Sequence, residues 1–314
     1  MSRTARHKSH EAASYHLCTR VSGPPKYFPF RNPVVSRKFL QVLRFYLRLY
    51  DQKLISFELM GNHYHMILFF KAFQELSRQE LQRRAQLRWG RKWFRMTRHW
   101  SDEDWLRFNR DLFDVSKFMQ HVNGEFAKWF NRTFPRRGSF WAERFLNPEL
   151  LDTESIRNCL LYIELNAVRA HLVQRPEQWK MGSAYWRWAG KKKDLLAPVE
   201  EYFPAQGRQS CFEVYRTLLY YRGAVAREEG QGTIPERILR LEEKRGFSKP
   251  GVFARRLRLF TDGIAIGSPQ KLKEMLAEYR KRGLYRRRKH PIPHLNGLLF
   301  TLREQRSHAF SARE

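Results

Sequence analysis

Two short stretches of this 314-residue sequence carry groups that can do chemistry. The first reads Met60-Gly61-Asn62-His63-Tyr64-His65. Side chains alternate along a β-strand, so His63 and His65 share a face and two imidazoles can converge on one metal ion, while Tyr64 points the other way. The spacing equally suits two strand histidines hydrogen-bonded to their neighbours. The second stretch is CLLYIELNAVRAHLV, from Cys159 to Val173. On a helix, Tyr162 and Asn166 stack on one face, so a phenol and an amide oxygen can address the same point. A core aromatic followed by a helix-end asparagine is the alternative. Cys18, Cys159 and Cys211 are far apart and form no CxxC pair, which fits three reduced packing cysteines better than a disulfide framework or a zinc cluster.

The elements that must position these groups follow from local pattern. SYHLCTRV (residues 14–21) reads as a strand closed by Gly23, Pro24 and Pro25. Apolar residues at Phe39, Leu40, Leu43, Tyr46 and Leu47 give a helix over 37–49. Residues 54–60 and 63–70 form two strands joined at Gly61-Asn62, a hairpin turn. Residues 113–134 predict a second long helix, SFWAERFL (139–146) a fourth strand, and Asp152 or Thr153 the cap of a helix through Ile156, Leu160, Ile163 and Ala167. This order predicts an α+β fold: a ferredoxin-like antiparallel sheet with helices on one face. Residues 1–190 are expected to form that domain. GKKKD and Ala197-Pro198 read as a linker to a mostly helical, basic region, 191–314, with helices over 210–229, 234–244 and 269–281.

Composition narrows the partner. Hydrophobic residues make up 42% and aromatics 15%, enough for a core, while 60 Lys and Arg against 31 Asp and Glu leave a formal charge of +29. Such a surface seeks polyanions, nucleic acid first among them. The longest apolar run, Met66 to Phe70, is too short to span a membrane, and MSRTARHKSH lacks the apolar core of a secretion signal. A cytoplasmic, nucleoid-associated protein is therefore expected. Between residues 76 and 109 the sequence interleaves Arg with Trp and Phe, a mixture that suits a single-stranded ligand or a solvated basic helix.

The order of motifs resembles that of HUH transposases with one catalytic tyrosine, and within them the REP-associated tyrosine transposases. The matching residues are Tyr15-His16, Met60 to His65, Gly138-Ser139-Phe140-Trp141-Ala142-Glu143-Arg144-Phe145, and Tyr162 to Val173 with Trp179 and Ser183 following. The resemblance covers about residues 14–190; beyond it, only FTDGIAIG (260–267) and the helix after it are similar to longer members. Ala167 stands where the family usually has proline, Tyr64 replaces a usual aliphatic residue, and the 76–109 insertion lengthens the path from His65 to Tyr162.

The resemblance implies an HUH nuclease core in which His63, His65 and Asn166 hold Mg²⁺ or Mn²⁺ and Tyr162 is the nucleophile, forming a 5′-phosphotyrosine with single-stranded DNA. It implies recognition of imperfect hairpins near element ends or of REP-like palindromes, by a monomer or homodimer. Arg83, Arg84, Trp89, Arg91, Lys92 and Trp93 are the expected contacts in the insertion, with Arg286, Arg287, Arg288 and Lys289 adding phosphate contacts. The alternative is a hairpin-binding protein of the same fold that has lost turnover. A replication initiator or relaxase of the HUH type is a third reading, and the absence of a helicase-like phosphate loop speaks against its larger versions.

Overall fold

The computed structural model describes residues 11–191, 195–226, 230–247, 265–281, 291–294 and 299–301. Strand β1 (Ala13–Arg20) leads to helix α1 (Pro33–Tyr50), started by Pro33 and by Asn32, whose side chain accepts from the Val34 amide. Strands β2 (Lys53–Leu59) and β3 (His63–Phe70) then form the hairpin expected at Gly61-Asn62. A Cβ on Gly61 would stand 2.9 Å from the Phe28 ring, so this turn admits no side chain without moving Phe28. The insertion folds into α2 (Arg78–Trp89), α3 (Trp93–Thr97) and α4 (Asp102–Asp111), followed by α5 (Val115–Thr133) and β4 (Glu149–Leu150).

In space these strands run β2-β3-β1-β4, the order of a ferredoxin-like β-α-β-β-α-β unit. Tyr15, Leu17, Phe57, Tyr64, Met66 and Leu68 face α1 and α5 across one core, where Phe39, Phe118 and Phe126 are fully buried. The alternate residues of the same strands turn to the opposite face, which is covered too. There α6 (Thr153–Ile163) packs on Ile55, Ile67 and Leu150, joined by Phe203, Tyr215, Leu219 and Ile234 from the chain beyond residue 190.

Two expectations need correction. Residues 139–146 do not form a continuous strand: they pair with β1 and the residue just after it through two isolated bridges, Cys18 to Leu146 and Val21 to Trp141. Phe140 and Phe145 are both drawn into the core, and Pro148 has no amide to donate, so the ladder resumes only at Glu149. The sheet is also longer and not wholly antiparallel. Strand β5 (Ala265–Gly267) runs parallel to β4, and β7 (Leu299–Thr301) and β6 (Ile292–His294) extend it further. Strands of three residues leave no usable period in a sequence. The helices expected downstream appear as α9 (Cys211–Ala224), α10 (Glu236–Lys244) and α11 (Pro269–Lys281), while α7 (Asn166–Arg169), split off from the expected single helix, and α8 (Ser183–Trp188), which was not expected, lie between α6 and α9.

The insertion is mounted on the outer side of the α1–α5 layer. Arg88 of α2 donates to Nε2 of His121 at 2.8 Å, and Nδ1 of His121 lies 2.6 Å from the Tyr50 hydroxyl. Burial, then Arg88, Lys117 and Lys128, depress the His121 pKa to about 4. The unfolded chain therefore binds more protons between about pH 6.5 and 4, so His121 stabilises the fold fully above that window and progressively less as pH falls through it. Urea unfolding at pH 7 and pH 4.5 checks this: His121→Gln should lose less stability across that interval than the parent. Other buried histidines contribute with the same sign, so the difference between the two proteins is the informative quantity.

Candidate active site

His63 and His65 sit on the β3 face that looks toward α6, as their spacing demands. Their rings are 5.1 Å apart at 89°. The ring of Tyr162, from the last turn of α6, stands edge-on to His65 with centroids 5.8 Å apart. Residues separated by almost a hundred positions are thus brought to one point. His16 of β1 completes the group: its Nε2 lies 3.0 Å from Nδ1 of His65, the two rings stack at 5.1 Å, and its centroid is 6.2 Å from that of Tyr162.

The titration of these groups follows from burial. His63 is lowered to about 4, by desolvation first and then by Arg20, its partner across the β1–β3 ladder. His65 is lowered well below its ordinary value by desolvation, His63 and His16. Both imidazoles are therefore neutral near pH 7 and keep a lone pair on nitrogen. Asn62 Oδ1 accepts from His63 Nδ1 at 2.8 Å, which leaves Nε2 as the basic nitrogen of that ring. His65 has less to spare: Nδ1 meets His16, and Nε2 lies 3.9 Å from the Cys18 thiol.

Asn166 is not on the same continuous helix as Tyr162. The chain leaves α6 at Ile163, passes through Glu164 and Leu165, and restarts as α7 at Asn166. Glu58 of β2 governs the restart. Its Oε1 accepts from the Ala167 amide at 3.1 Å, and the Asn166 amide also points to this carboxyl. Burial, opposed by these two amides and reinforced by Glu164, raises the Glu58 pKa well above its ordinary value, which favours its neutral form. Glu58 Oε2 and Asn166 Nδ2 are both buried without a hydrogen-bond partner.

These donors bear on a metal ion. Among the described residues no three His, Cys, Asp or Glu side chains gather into a ready metal-binding group. Two neutral imidazoles and the unpartnered amide of Asn166, whose oxygen and nitrogen exchange by a simple flip, do fit a divalent cation in donor chemistry.

The downstream chain clamps α7 from behind. The Arg169 guanidinium donates to the carbonyls of Val225 at 2.7 Å and Arg222 at 2.8 Å, and the Gly232 amide donates to the Arg169 carbonyl at 3.0 Å. A Cβ on Gly232 would lie 2.0 Å from the Val168 carbonyl oxygen, a backbone atom that cannot swing away. Gly232→Ala should cost about 2 kcal/mol or more, read as a lower urea midpoint, the scale of overpacking in a filled site.

The expected DNA contacts separate into several groups. Arg91 and Lys92 are exposed, and Arg83 is exposed but bonded to Glu80. Arg84 corrects the expectation: it is 5% exposed and donates to the Leu49 carbonyl and to Glu80, so it has no face to offer a phosphate. Trp89 packs on Trp100 and Phe108, and Trp93 also leans on the core. Arg286, Arg287, Arg288 and Lys289 lie outside the described residues. Sequence alone assigns Cys18 to packing, gives Glu58 no role and gives His16 none beyond its place in a motif. All three were within reach, since SYHLCTR and ISFEL alternate apolar with polar residues and put His16, Cys18 and Glu58 on the His65 face.

No protein-family model and no curated protein sequence matches the chain. Among solved structures, one described as a REP-associated tyrosine transposase bound to a REP hairpin is similar at a TM-score of 0.42 and 12% identity, over 63% of this chain and 89% of that one. A likeness so loose assigns no chemistry here, and the site stands on its own geometry.

Proposed function

We propose that the protein is a transposase-type single-stranded DNA endonuclease and strand transferase of the HUH single-tyrosine kind, working on DNA hairpins near element ends or on REP-like palindromes. The observation that carries this is the convergence of Tyr162 on His65 and His63 from a separate part of the chain. In the forward step the Tyr162 oxygen bonds to the scissile phosphorus and the bond to the 3′ oxygen breaks. The phenol gives up its proton and the departing 3′ oxygen takes one up, leaving a 5′-phosphotyrosine and a free 3′-OH. Attack by a 3′-OH on that ester reverses the chemistry and joins strands without ATP.

His63, His65 and Asn166 would hold Mg²⁺ or Mn²⁺, which when bound draws electron density from the scissile phosphate. The chain's own residues do the positioning. His16 fixes the plane of His65, Glu58 fixes the start of α7, and Arg169 ties α7 to the carbonyls of residues 222–232. On this reading residues 1–190 carry the chemistry, and 191–314 brace it and add basic surface. Among the described residues no helix is long and apolar enough to cross a membrane, and a DNA partner would place the protein on the nucleoid.

A second reading is a hairpin-binding protein without turnover. It is favoured by one observation, that both ring nitrogens of His65 already face protein groups. The two readings separate when purified protein is incubated with a labelled single-stranded hairpin from the DNA flanking its own gene, with Mg²⁺ or Mn²⁺. A denaturing-gel band of DNA joined to protein, dependent on the metal, supports the enzyme. Binding of several such hairpins with no cut and no adduct supports the binder.

A further inference from the structure

We infer that α3 and the residues beside it form a second contact site for single-stranded nucleic acid, away from the active site, with Phe94 as the stacking surface for an unpaired base. The inference rests on the proposed DNA partner but not on cleavage. Residues 81–101 hold six arginines and one lysine and no acidic residue. Arg84 and Arg88 are turned inward to Glu80 and His121, whereas Arg91, Lys92, Arg95 and Arg98 are exposed and have no ion-pair partner among the described residues. On α4, Asp102 is committed to Arg78 and Asp104 to Arg107, and the exposed Glu103 between them pairs with none of these four cations among the described residues. Between these free cations stand Phe94, 64% exposed, and Met96, 45% exposed. No other large hydrophobic side chain of the described residues is as exposed as Phe94.

The inward side of the segment explains its fold. Leu81, Ala85, Trp105 and Phe108 are buried against the α1–α5 layer, and Trp89, Trp93 and Trp100 pack on them. Phe94 contributes nothing to that core, yet it sits on a frame those residues hold still. A flat aromatic face ringed by unneutralised cations matches a base between phosphates. A membrane is a poorer fit, because α3 is five residues long and offers one Phe and one Met for insertion. The site lies over α1 and α5, on the opposite side of the sheet from His63 and His65, so it would hold strand away from the cut.

The test uses the full chain carrying Tyr162→Phe, in chelator, so that binding is read without chemistry. Anisotropy with labelled oligo-dT should show Phe94→Ala about tenfold weaker than its parent, with binding to a duplex of equal length unchanged and Phe94→Trp restoring the loss. Arg91→Ala with Arg95→Ala should lower the slope of log affinity against log salt by about 1.4 on the single strand. Equal loss on single strand and duplex, or no loss on either, overturns the inference. So does loss confined to phosphatidylserine vesicles, which would assign the surface to anionic lipid. Failure of the transposase reading appears elsewhere, as a missing covalent adduct, and leaves this result standing.

Discussion

Tyr162→Phe is expected to lower DNA cleavage by several orders of magnitude and to remove the covalent protein–DNA band, with hairpin affinity and unfolding midpoint nearly unchanged. The substitution deletes one oxygen. The ring that packs against the core on the α6 side of the sheet and stands edge-on to His65 and His16 is kept, so the cost to stability should stay near 1 kcal/mol, the scale of a single hydrogen bond. A general loss of structure would lower binding and cleavage together. Loss of the nucleophile alone lowers only cleavage and adduct. Retention of cleavage in the variant would move the nucleophile elsewhere and remove the basis for a tyrosine mechanism.

Much of this site was legible in the sequence, because its main rule is the alternation of strand side chains. MGNHYH puts both histidines on one face in any register, and the Gly61-Asn62 turn leaves little freedom in how β3 pairs with β2. Facing residues on other strands are harder to read. His16 and Glu58 lie on strands whose alternation is visible, but only the pairing of Cys18 and Glu58 with His65 shows that they belong to the same cluster. The Tyr162–Asn166 spacing suggested one helix, and the chain breaks instead. Glu164 is drawn into a buried network, and Glu58 captures the amides that begin α7.

The insertion shows the opposite limit. Its Arg and Trp residues have no clean period, so nothing in the sequence separates those that build the layer from those that face water. Arg84 and Trp89 turned inward, while Phe94 and Arg95, which carried no expectation, turned out. Position on the far side of the α1–α5 layer was equally hidden, since it depends on Arg88 reaching His121 from another helix.

The largest loss of stability should come from Glu164→Ala, about 3–5 kcal/mol by urea unfolding. The Glu164 side chain is 1% exposed as a residue and is met from four directions. Ser183 and Tyr215 hydroxyls donate at 2.5 Å, Ser56 at 3.4 Å, and the Arg187 guanidinium closes an ion pair that also reaches the Ile55 carbonyl. Alanine would leave the Arg187 charge inside the protein with one carbonyl for company, and would strand two hydroxyls. Tyr215→Phe removes one donor and leaves the ion pair, so it should cost only about 1 kcal/mol. Glu164→Gln should fall between, since the amide oxygen can accept from one side but cannot neutralise Arg187. This ordering carries the argument. A network held by hydrogen-bond count alone would make Gln and Phe similar, whereas one held by burial of a paired charge makes Gln the worse of the two. Because Glu164 follows Tyr162 by two residues at the end of α6, the Gln variant should also blunt adduct formation while the fold survives.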